Sequence, residues 1–379
     1  MVEGISTKKF SNTVTYKGNR FKVKAGKGEP VCVNLSIGLN KLTKSSLIFE
    51  QKKISRLLKQ HFKADLMMDL SIVKASPEPW ETLVLDFGGP VGIVPHYTIY
   101  KDKAGIDKSD LINRIRYTVQ NGISFITIHA SPTMDLFRLA TEVRNTPIIS
   151  RGGGIVIRDM LINNRKKSVY FEIFDTIVEI AAKSELVIHL GTSFRSSNIS
   201  EGLDLVAKKE LQIQKQLIER ARVKGAQVVL EGPGHLMLSR IDEYMRITKD
   251  WNVPLMPLGP IVTDAFPGQD HIINAIGACY MMTLSKGGII NAVTRIEHQG
   301  GIPNASHLIE ALRIAKIAAH AATLNYHKRS RLQDQKYSNS RENMKSCVVK
   351  LDMNSYFDTS KGEVICNRCG HICPLKEFC

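Results

Sequence analysis

The chain has 379 residues, of which 43% are hydrophobic and 23% charged, a composition typical of a globular protein with a large buried core. No stretch approaches the roughly 20 consecutive apolar residues of a membrane span, and no apolar run follows the first positive charges, so neither a membrane protein nor a secreted one is expected. The net charge of +16 predicts a surface that attracts anions. Its basic stretches lack interleaved aromatic residues, which favours a solvated basic surface over specific nucleic-acid binding.

Residues 1–60 are predicted to form a basic N-terminal segment and a first helix. From about residue 64, short apolar runs alternate with longer amphipathic stretches. The runs are rich in valine and isoleucine, which is typical of strands buried on both faces. The eight predicted strands are 64–71, 90–95, 125–130, 147–153, 185–191, 227–235, 253–260 and 287–294.

The stretches between these runs predict helices. "SDLINRIRYTVQN", "ELQIQKQLIERARVKG" and "ASHLIEALRIAKIAAHAATL" each place apolar residues at helical spacing. Alternating strands and helices predict a parallel sheet, and eight units over roughly 240 residues match the usual size of a (β/α)8 barrel. We therefore expect such a barrel over residues 61–325, with an open doubly wound sheet as the alternative.

Functional residues of (β/α)8 barrels lie at the C-terminal ends of the strands. Polar residues follow the predicted strands at these positions. Any one of them alone is more often structural, but their joint placement on one rim indicates a site. They are Asp69, Ser71, Tyr97, His129, Ser150, Arg151, His189, Glu231, His235 and His298.

Two motifs on this rim predict particular ligands. "ISRGGG" combines Arg151 with glycines whose amides can bind an anion, although a tight loop with a surface arginine has the same sequence. "EGPGH" and "RIEHQGG" place His235 and His298 after the sixth and eighth predicted strands. Because these strands are two positions apart in a closed barrel, both imidazoles can reach one point. Two histidines with open positions left over suit a catalytic metal.

Residues 326–379 are predicted to form a polar linker and a cysteine-rich tail, "CNRCGHICPLKEFC". Its spacing is Cys-x2-Cys-x3-Cys-x5-Cys, without the second Cys-x2-Cys pair of a zinc ribbon. The spacing alone leaves a structural zinc site and a 4Fe–4S cluster open. The other three cysteines are scattered, as in proteins of the reducing cytoplasm.

The order of motifs resembles the phosphomethylpyrimidine synthase family. "PVGIVPHY", "GISFITIHA", "IISRGG", "EGPGH", "LGPIVTDAFPGQDHI" and "CNRCG" stand in the family's order, and the resemblance runs from about Val31 to the C-terminus. It implies a (β/α)8 barrel, a 4Fe–4S cluster on the tail and S-adenosylmethionine as radical source. It also implies a homodimer in which the tail of one chain closes over the barrel of the other.

The resemblance further implies a reaction and its residues. The family uses a reductant for the cluster and rearranges 5-aminoimidazole ribotide to 4-amino-5-hydroxymethyl-2-methylpyrimidine phosphate for thiamine. The implied substrate contacts are Met68, Tyr97, His129, Ser150, Arg151, Gly152, Arg195 and Glu231. The implied ligands of a divalent barrel metal, expected to be zinc, are His235 and His298, and those of the cluster are Cys366, Cys369 and Cys373.

Several positions depart from the family pattern. Ser36 replaces an asparagine, Met256 replaces a tyrosine, and "GTSFRSS" replaces "GDGLRPG", so that Thr192 and Ser193 stand where the family has Asp-Gly. The tail is one residue shorter before Cys373, and the N-terminal segment is shorter than the family's N-terminal domain. These departures leave two alternatives to the thiamine enzyme: a paralogue that gives a benzimidazole-type product from the same or a modified ribotide, and a non-catalytic zinc-tailed binder of anions or nucleic acid.

Overall fold

A computed structural model describes residues 11–344, 369 and 372–374. Within these residues, a two-stranded antiparallel hairpin precedes a sheet of eight parallel strands. The hairpin consists of β1 (Thr13–Lys17) and β2 (Lys22–Gly26). The parallel strands are β3 (Cys32–Ile37), β4 (Leu66–Asp69), β5 (Val91–Ile93), β6 (Phe125–Ile128), β7 (Val187–Leu190), β8 (Gln227–Glu231), β9 (Leu255–Met256) and β10 (Ile289–Asn291).

Helices follow the parallel strands and cover the outside of the sheet. Many begin at a side chain that accepts a hydrogen bond from the first turn, as Asp204 and Asn304 do. The helices are α1 (Lys44–Leu58), α2 (Pro79–Asp86), α3 (Lys108–Gln120), α4 (Met134–Val143), α5 (Arg151–Ile162), α6 (Val169–Glu172), α7 (Phe174–Ser184), α8 (Leu205–Val223), α9 (Ile241–Thr248), α10 (Asp270–Ser285), α11 (Ala305–Leu324) and α12 (Lys328–Met344). Among these described helices, none combines the length and the hydropathy that crossing a membrane requires.

The sheet curves into a barrel. Its strands pair in the order β10-β3-β4-β5-β6-β7-β8-β9, so the last strand lies beside the first. The side chain of Asn291 in β10 completes the ring. Its Nδ2 donates to the backbone carbonyl of Pro257 after β9 (2.9 Å), and its Oδ1 accepts from Nδ2 of Asn34 in β3 (2.8 Å). The predicted (β/α)8 barrel is confirmed, and the open sheet is wrong because β10 both pairs with β3 and bonds through Asn291 to the residue that follows β9.

Two of the predicted elements differ from the structure. Residues 147–153 do not form a strand, because Ser150 caps α5 and the glycines that follow it lie in the first turn of that helix. The barrel strand that the sequence missed is β3, inside the segment assigned to residues 1–60, so the barrel begins before residue 61. The prediction had one strand too many at 147–153 and one too few at β3, so the total of eight is unchanged. The predicted sixth and eighth strands are therefore still the sixth and eighth of the barrel, β8 and β10.

The hairpin covers the N-terminal end of the barrel. Tyr16 of β1 is fully buried in the inner core, where its ring meets Phe125 edge-on at 5.5 Å between centroids. Its hydroxyl lies 2.7 Å from Nε2 of His189. His189 therefore belongs to the barrel interior and not to the functional rim, where the sequence placed it. With this end covered, the opposite end of the barrel is the one at which a site can open.

Candidate active site at the barrel mouth

A cavity of about 300 Å³ opens at the C-terminal end of the barrel. A second cavity of about 420 Å³ adjoins it, since Leu70, Arg151 and Glu297 line both. The two together form a mouth large enough for more than one small molecule. The predicted site residues that share the wall of the first cavity are Tyr97, Arg151, Arg195, His235 and His298.

The N-terminus of α5 forms a cationic corner of this cavity. Ser150 is its N-cap, with Oγ accepting from the amide of Gly153 (3.1 Å), and Nη2 of Arg195 donates to the same Oγ (3.3 Å). The Arg151 guanidinium lies 5.7 Å from the centre of the Tyr97 ring. Helix amides and two guanidinium groups at one point suit an anion, a phosphate above all.

His129 lies behind this corner, against the backbone of α5. A β-carbon at Gly152 would overlap Nε2 of His129, so only glycine allows the close approach. The Nδ1 atom of His129 lies 2.9 Å from the hydroxyl of Ser193. Burial lowers the pKa of His129 well below its ordinary value, and neighbouring His96 and Arg195 lower it further. The imidazole is therefore neutral and fixed in place.

Glu231 ends β8 on the same side of the barrel. Its carboxylate accepts from the Thr127 hydroxyl (3.4 Å) and from the amide of Thr192 (3.3 Å). Burial raises the pKa of this carboxyl group, while Arg195 opposes the shift. The result is a buried acceptor beside a cationic wall.

The altered loop acts from behind the cavity. The Thr192 hydroxyl donates to the carbonyl of Glu231 (2.6 Å), and the Ser193 hydroxyl contacts His129. Thr192 and Ser193 are not among the described residues that line the first cavity. Buried Glu210 of α8 holds the loop by accepting from the amides of Ser193 (2.7 Å) and Phe194 (2.9 Å). The departures in sequence therefore act on His129 and Glu231 through hydrogen bonds.

Three further positions that the sequence singled out lie outside the first cavity. Met68 and Met256 are buried in the inner core of the barrel, beneath the mouth. Ser36 lines the second cavity. The structure thus places the predicted contact Met68 in a layer below the arginine and histidine side chains.

His235 and His298 meet at the mouth. Their ring centres are 5.1 Å apart and their planes make an angle of 54°. The Nδ1 atom of His235 lies 2.7 Å from Oδ1 of Asp264, and Nδ1 of His298 lies 2.7 Å from Oδ1 of Asp270. With each Nδ1 bonded to a carboxylate, each Nε2 is left for a ligand.

This pair fits a divalent metal. Two imidazoles that bind one tetrahedral zinc at roughly 2.0–2.1 Å would have ring centres roughly 5 Å apart. Carboxylates on the outer nitrogens are the usual support of metal-bound histidines. Within the described residues, no group of three or more His, Cys, Asp or Glu side chains forms a closed metal site. Two protein ligands with positions left for ligand or water match an open site.

Three carboxylates of the mouth were missed by sequence reasoning. Asp264 and Asp270 lie in "TDAFPGQDH", where the acidic letters were the available signal. Glu297 precedes His298 and lines both cavities. Its side chain faces the cavity, but protein surrounds the carboxylate on the other sides. This partial desolvation raises the pKa of Glu297, while the nearby charges of His298, Arg195 and Arg151 act to lower it.

The cysteine tail is described only in part. Cys369 and Cys373 carry free thiols, and the amide of Ile372 donates to the carbonyl of Cys369 (3.3 Å). Cys366, the third predicted cluster ligand, lies outside the described residues, as does Cys379. Two cysteine thiols in the described part of the tail are available as ligands for zinc or for an iron–sulfur cluster.

A (β/α)8 barrel with a cationic helix N-terminus and a histidine pair at its C-terminal mouth has the architecture of a barrel enzyme. The family described as "Radical SAM ThiC family" matches residues 11–378. The chain belongs to this family of radical S-adenosylmethionine enzymes.

Similar proteins agree with this assignment. The phosphomethylpyrimidine synthase of Clostridium tetani is 32% identical over 93% of this chain and 79% of its own length. The enzyme of the same name from Ignicoccus hospitalis is 32% identical over 93% and 83%, and that from Pyrococcus abyssi 30% over 93% and 85%. Among solved structures, dihydropteroate synthase from Thermus thermophilus aligns over 80% of this chain and 99% of its own chain, with a TM-score of 0.42 and 12% identity.

Proposed function

We propose that this chain is a radical S-adenosylmethionine lyase that rearranges 5-aminoimidazole ribotide into the pyrimidine phosphate of thiamine. The observation that carries the proposal is the convergence of Arg151, Arg195, His235 and His298 on one cavity at the barrel mouth. The name of the relatives, phosphomethylpyrimidine synthase, supports the reaction class. The cationic corner supports a phosphorylated substrate.

The phosphate binds at the start of α5. The first turn of α5 presents the positive end of the helix dipole, and Arg151 offers two donors in a fixed fork. Arg195 is held toward the same corner by its hydrogen bond to Ser150. These groups bind a phosphate whatever it carries, so they fix one end of the ribotide in the mouth.

The rest of the ribotide binds toward Tyr97, His129 and Glu231. Glu231 is an acceptor for a ring amine or a ribose hydroxyl, and the neutral His129 ring offers an uncharged polar edge. Met68 forms the apolar floor below them. Thr192 and Ser193 set the positions of Glu231 and His129 in place of the family's Asp-Gly.

His235 and His298 hold a divalent metal, which we expect to be zinc. The carboxylates of Asp264 and Asp270 fix which ring nitrogen faces it. When bound, the metal supplies a Lewis-acidic position at the mouth for an oxygen or nitrogen of a ligand.

Cys366, Cys369 and Cys373 hold the 4Fe–4S cluster, which in its reduced form supplies the electron that cleaves S-adenosylmethionine. The free thiols of Cys369 and Cys373 fit this donor set. The barrel's part is to orient the ribotide and to exclude water from the reacting atoms. We further propose a homodimer, in which each tail closes the neighbouring barrel, and a cytoplasmic location with a reductant for the cluster.

A second candidate is a paralogue that converts the same ribotide to a benzimidazole-type product. The observation that favours it is the altered segment "GTSFRSS" (191–197), in which the hydroxyls of Thr192 and Ser193 bond to Glu231 and His129. Product analysis separates the two: anaerobic protein, ribotide, S-adenosylmethionine and a reductant should give the pyrimidine phosphate by mass spectrometry. A benzimidazole product would favour the paralogue.

Metal analysis of anaerobically purified protein tests the cluster separately. We expect iron and sulfide in amounts that are lost in Cys366→Ala. Stoichiometric zinc in these cysteines, with no iron, would favour the non-catalytic binder and contradict the proposal.

A further inference from the structure

Asp264 contacts two parts of the mouth at once. Its Oδ1 lies 2.7 Å from Nδ1 of His235, and its Oδ2 accepts from the amide of Ile199 (2.9 Å). Ile199 lies two residues after "GTSFRSS" (191–197), the segment that departs from the family pattern, within the same loop of residues 191–201. The carboxylate therefore joins a predicted metal ligand to the altered loop.

The same loop meets His235 through a second pair of bonds. The Ser196 hydroxyl donates to the carbonyl of His235 (2.5 Å), and the amide of His235 donates to the carbonyl of Ser196 (3.4 Å). Arg195, the preceding residue, donates to Ser150 at the cationic corner. A continuous set of bonds thus runs from the metal position to the phosphate position.

Asp270 provides an internal comparison. It bonds Nδ1 of His298 at the same distance, 2.7 Å, and it is buried at the start of α10. Its Oδ2 is also buried and has no hydrogen-bond partner among the described residues. Asp270 therefore supports its histidine without contacting the 191–201 loop.

We infer that Asp264 is a positioning residue that couples metal binding at His235 and His298 to ribotide binding at the start of α5. This inference rests on the proposed function for its two ligands. Metal binding fixes the His235 ring, whose Nδ1–H then holds Asp264, and Asp264 holds the Ile199 amide. Each ligand orders the segment that the other one needs, so whichever binds second meets a lower ordering cost.

Cobalt(II) titration of the metal-free protein measures how far Asp264 supports metal binding. The visible spectrum of cobalt reports its ligands independently of catalysis. Asp264→Asn and Asp270→Asn should each weaken cobalt binding by about 10- to 100-fold, the usual effect of removing a carboxylate behind a metal-bound histidine. Circular dichroism should show both variants folded. Cobalt affinity unchanged in Asp264→Asn would overturn the positioning role.

Calorimetric titration with 5-aminoimidazole ribotide, with and without saturating zinc, measures the coupling between metal binding and ribotide binding. In the wild type, zinc should tighten ribotide binding by about 5- to 150-fold, the usual range of coupling between two sites. Asp264→Ala should lower this factor at zinc concentrations that saturate the variant, because the link to Ile199 is lost while the bonds between His235 and Ser196 remain. Asp270→Asn should retain it, because Asp270 does not reach the loop.

Ile199→Pro isolates the bond between the carboxylate and the loop. Proline removes the amide that Asp264 accepts from but leaves both metal ligands and their carboxylates in place. The position tolerates proline, since Ile199 opens a single 3₁₀ turn and Asn198 before it is extended (φ −152°, ψ 161°). The matched control is Ile199→Ala, which removes the side chain and keeps the amide. Zinc should tighten ribotide binding as much in the alanine variant as in the wild type, and less in the proline variant.

The outcomes separate this inference from the proposed function. A wild type that binds neither cobalt nor zinc at the mouth would contradict the proposed metal site, and the inference with it. Metal and ribotide binding with full coupling in Asp264→Ala, or in Ile199→Pro, would overturn the inference alone.

Discussion

At the scale of single residues, Gly152 shows how tightly the cationic corner is packed. A methyl group there would overlap the His129 ring, whereas one at Gly154, in the same helix turn, would meet only a methyl of Ile148 at 3.7 Å. Gly152→Ala should therefore weaken ribotide binding at least tenfold, because His129 must leave its place. Gly154→Ala should leave binding unchanged and stabilise the helix by about 0.5–1 kcal/mol. Calorimetry and urea unfolding of both variants check this, and equal affinities would contradict it.

Buried histidines make the stability depend on pH. Burial lowers the pKa of His96 and of His189 to about 3. Between that value and the ordinary pKa of roughly 6.5, the unfolded chain binds protons that the native chain does not, so stability is full above pH 6.5 and falls on acidification. In this window, each histidine lowers the free energy of unfolding by about 1.4 kcal/mol for every unit by which the pH falls.

Urea unfolding between pH 4 and 6 tests this assignment. His189→Gln should show a shallower dependence on pH than the wild type, by about 1.4 kcal/mol per unit. The comparison uses slopes, so a constant destabilisation of the variant does not affect it. An unchanged slope would show that His189 takes up its proton in the native state.

At the scale of elements, the hairpin β1–β2 is a structural cover remote from the mouth. Tyr16→Phe keeps the ring contact with Phe125 but removes the hydroxyl bonded to His189. Leaving a buried nitrogen without a partner should cost about 1–3 kcal/mol of unfolding free energy. Ribotide affinity should stay at the wild-type value, and a loss of affinity at constant fold would contradict the separation of cover and site.

The elements also show where sequence patterns suffice and where they fail. Strands such as β6 and β7 were predictable because they are continuous apolar runs buried on both faces. β3 was missed because Asn34 and Ser36 interrupt its apolar pattern, and they serve the seam of the barrel and the second cavity. The false strand at 147–153 has an apolar start, but its glycines belong to a helix that begins at the ligand corner.

At the scale of the whole molecule, the alternation of strands and helices predicted the barrel, and the barrel predicted the face that carries the site. The histidine pair was predictable because the two histidines follow β8 and β10, which are separated in the barrel by β9 alone. Asp264 and Asp270 were not, because their partners are 29 and 28 residues away in sequence and meet them only after β9, α10 and β10 are in place. Contacts of this kind follow from the closed ring and not from any local pattern.

We expect the mouth to bind a phosphorylated ribotide through the start of α5, and calorimetry can measure what the phosphate contributes to binding. The wild type should bind 5-aminoimidazole ribotide more tightly than the dephosphorylated riboside. Charge-assisted hydrogen bonds of about 1.5–3 kcal/mol correspond to a preference of roughly tenfold to 150-fold. Arg151→Gln should reduce this preference by lowering ribotide affinity and leaving riboside affinity unchanged. Equal affinity of the wild type for ribotide and riboside would contradict phosphate binding at the start of α5.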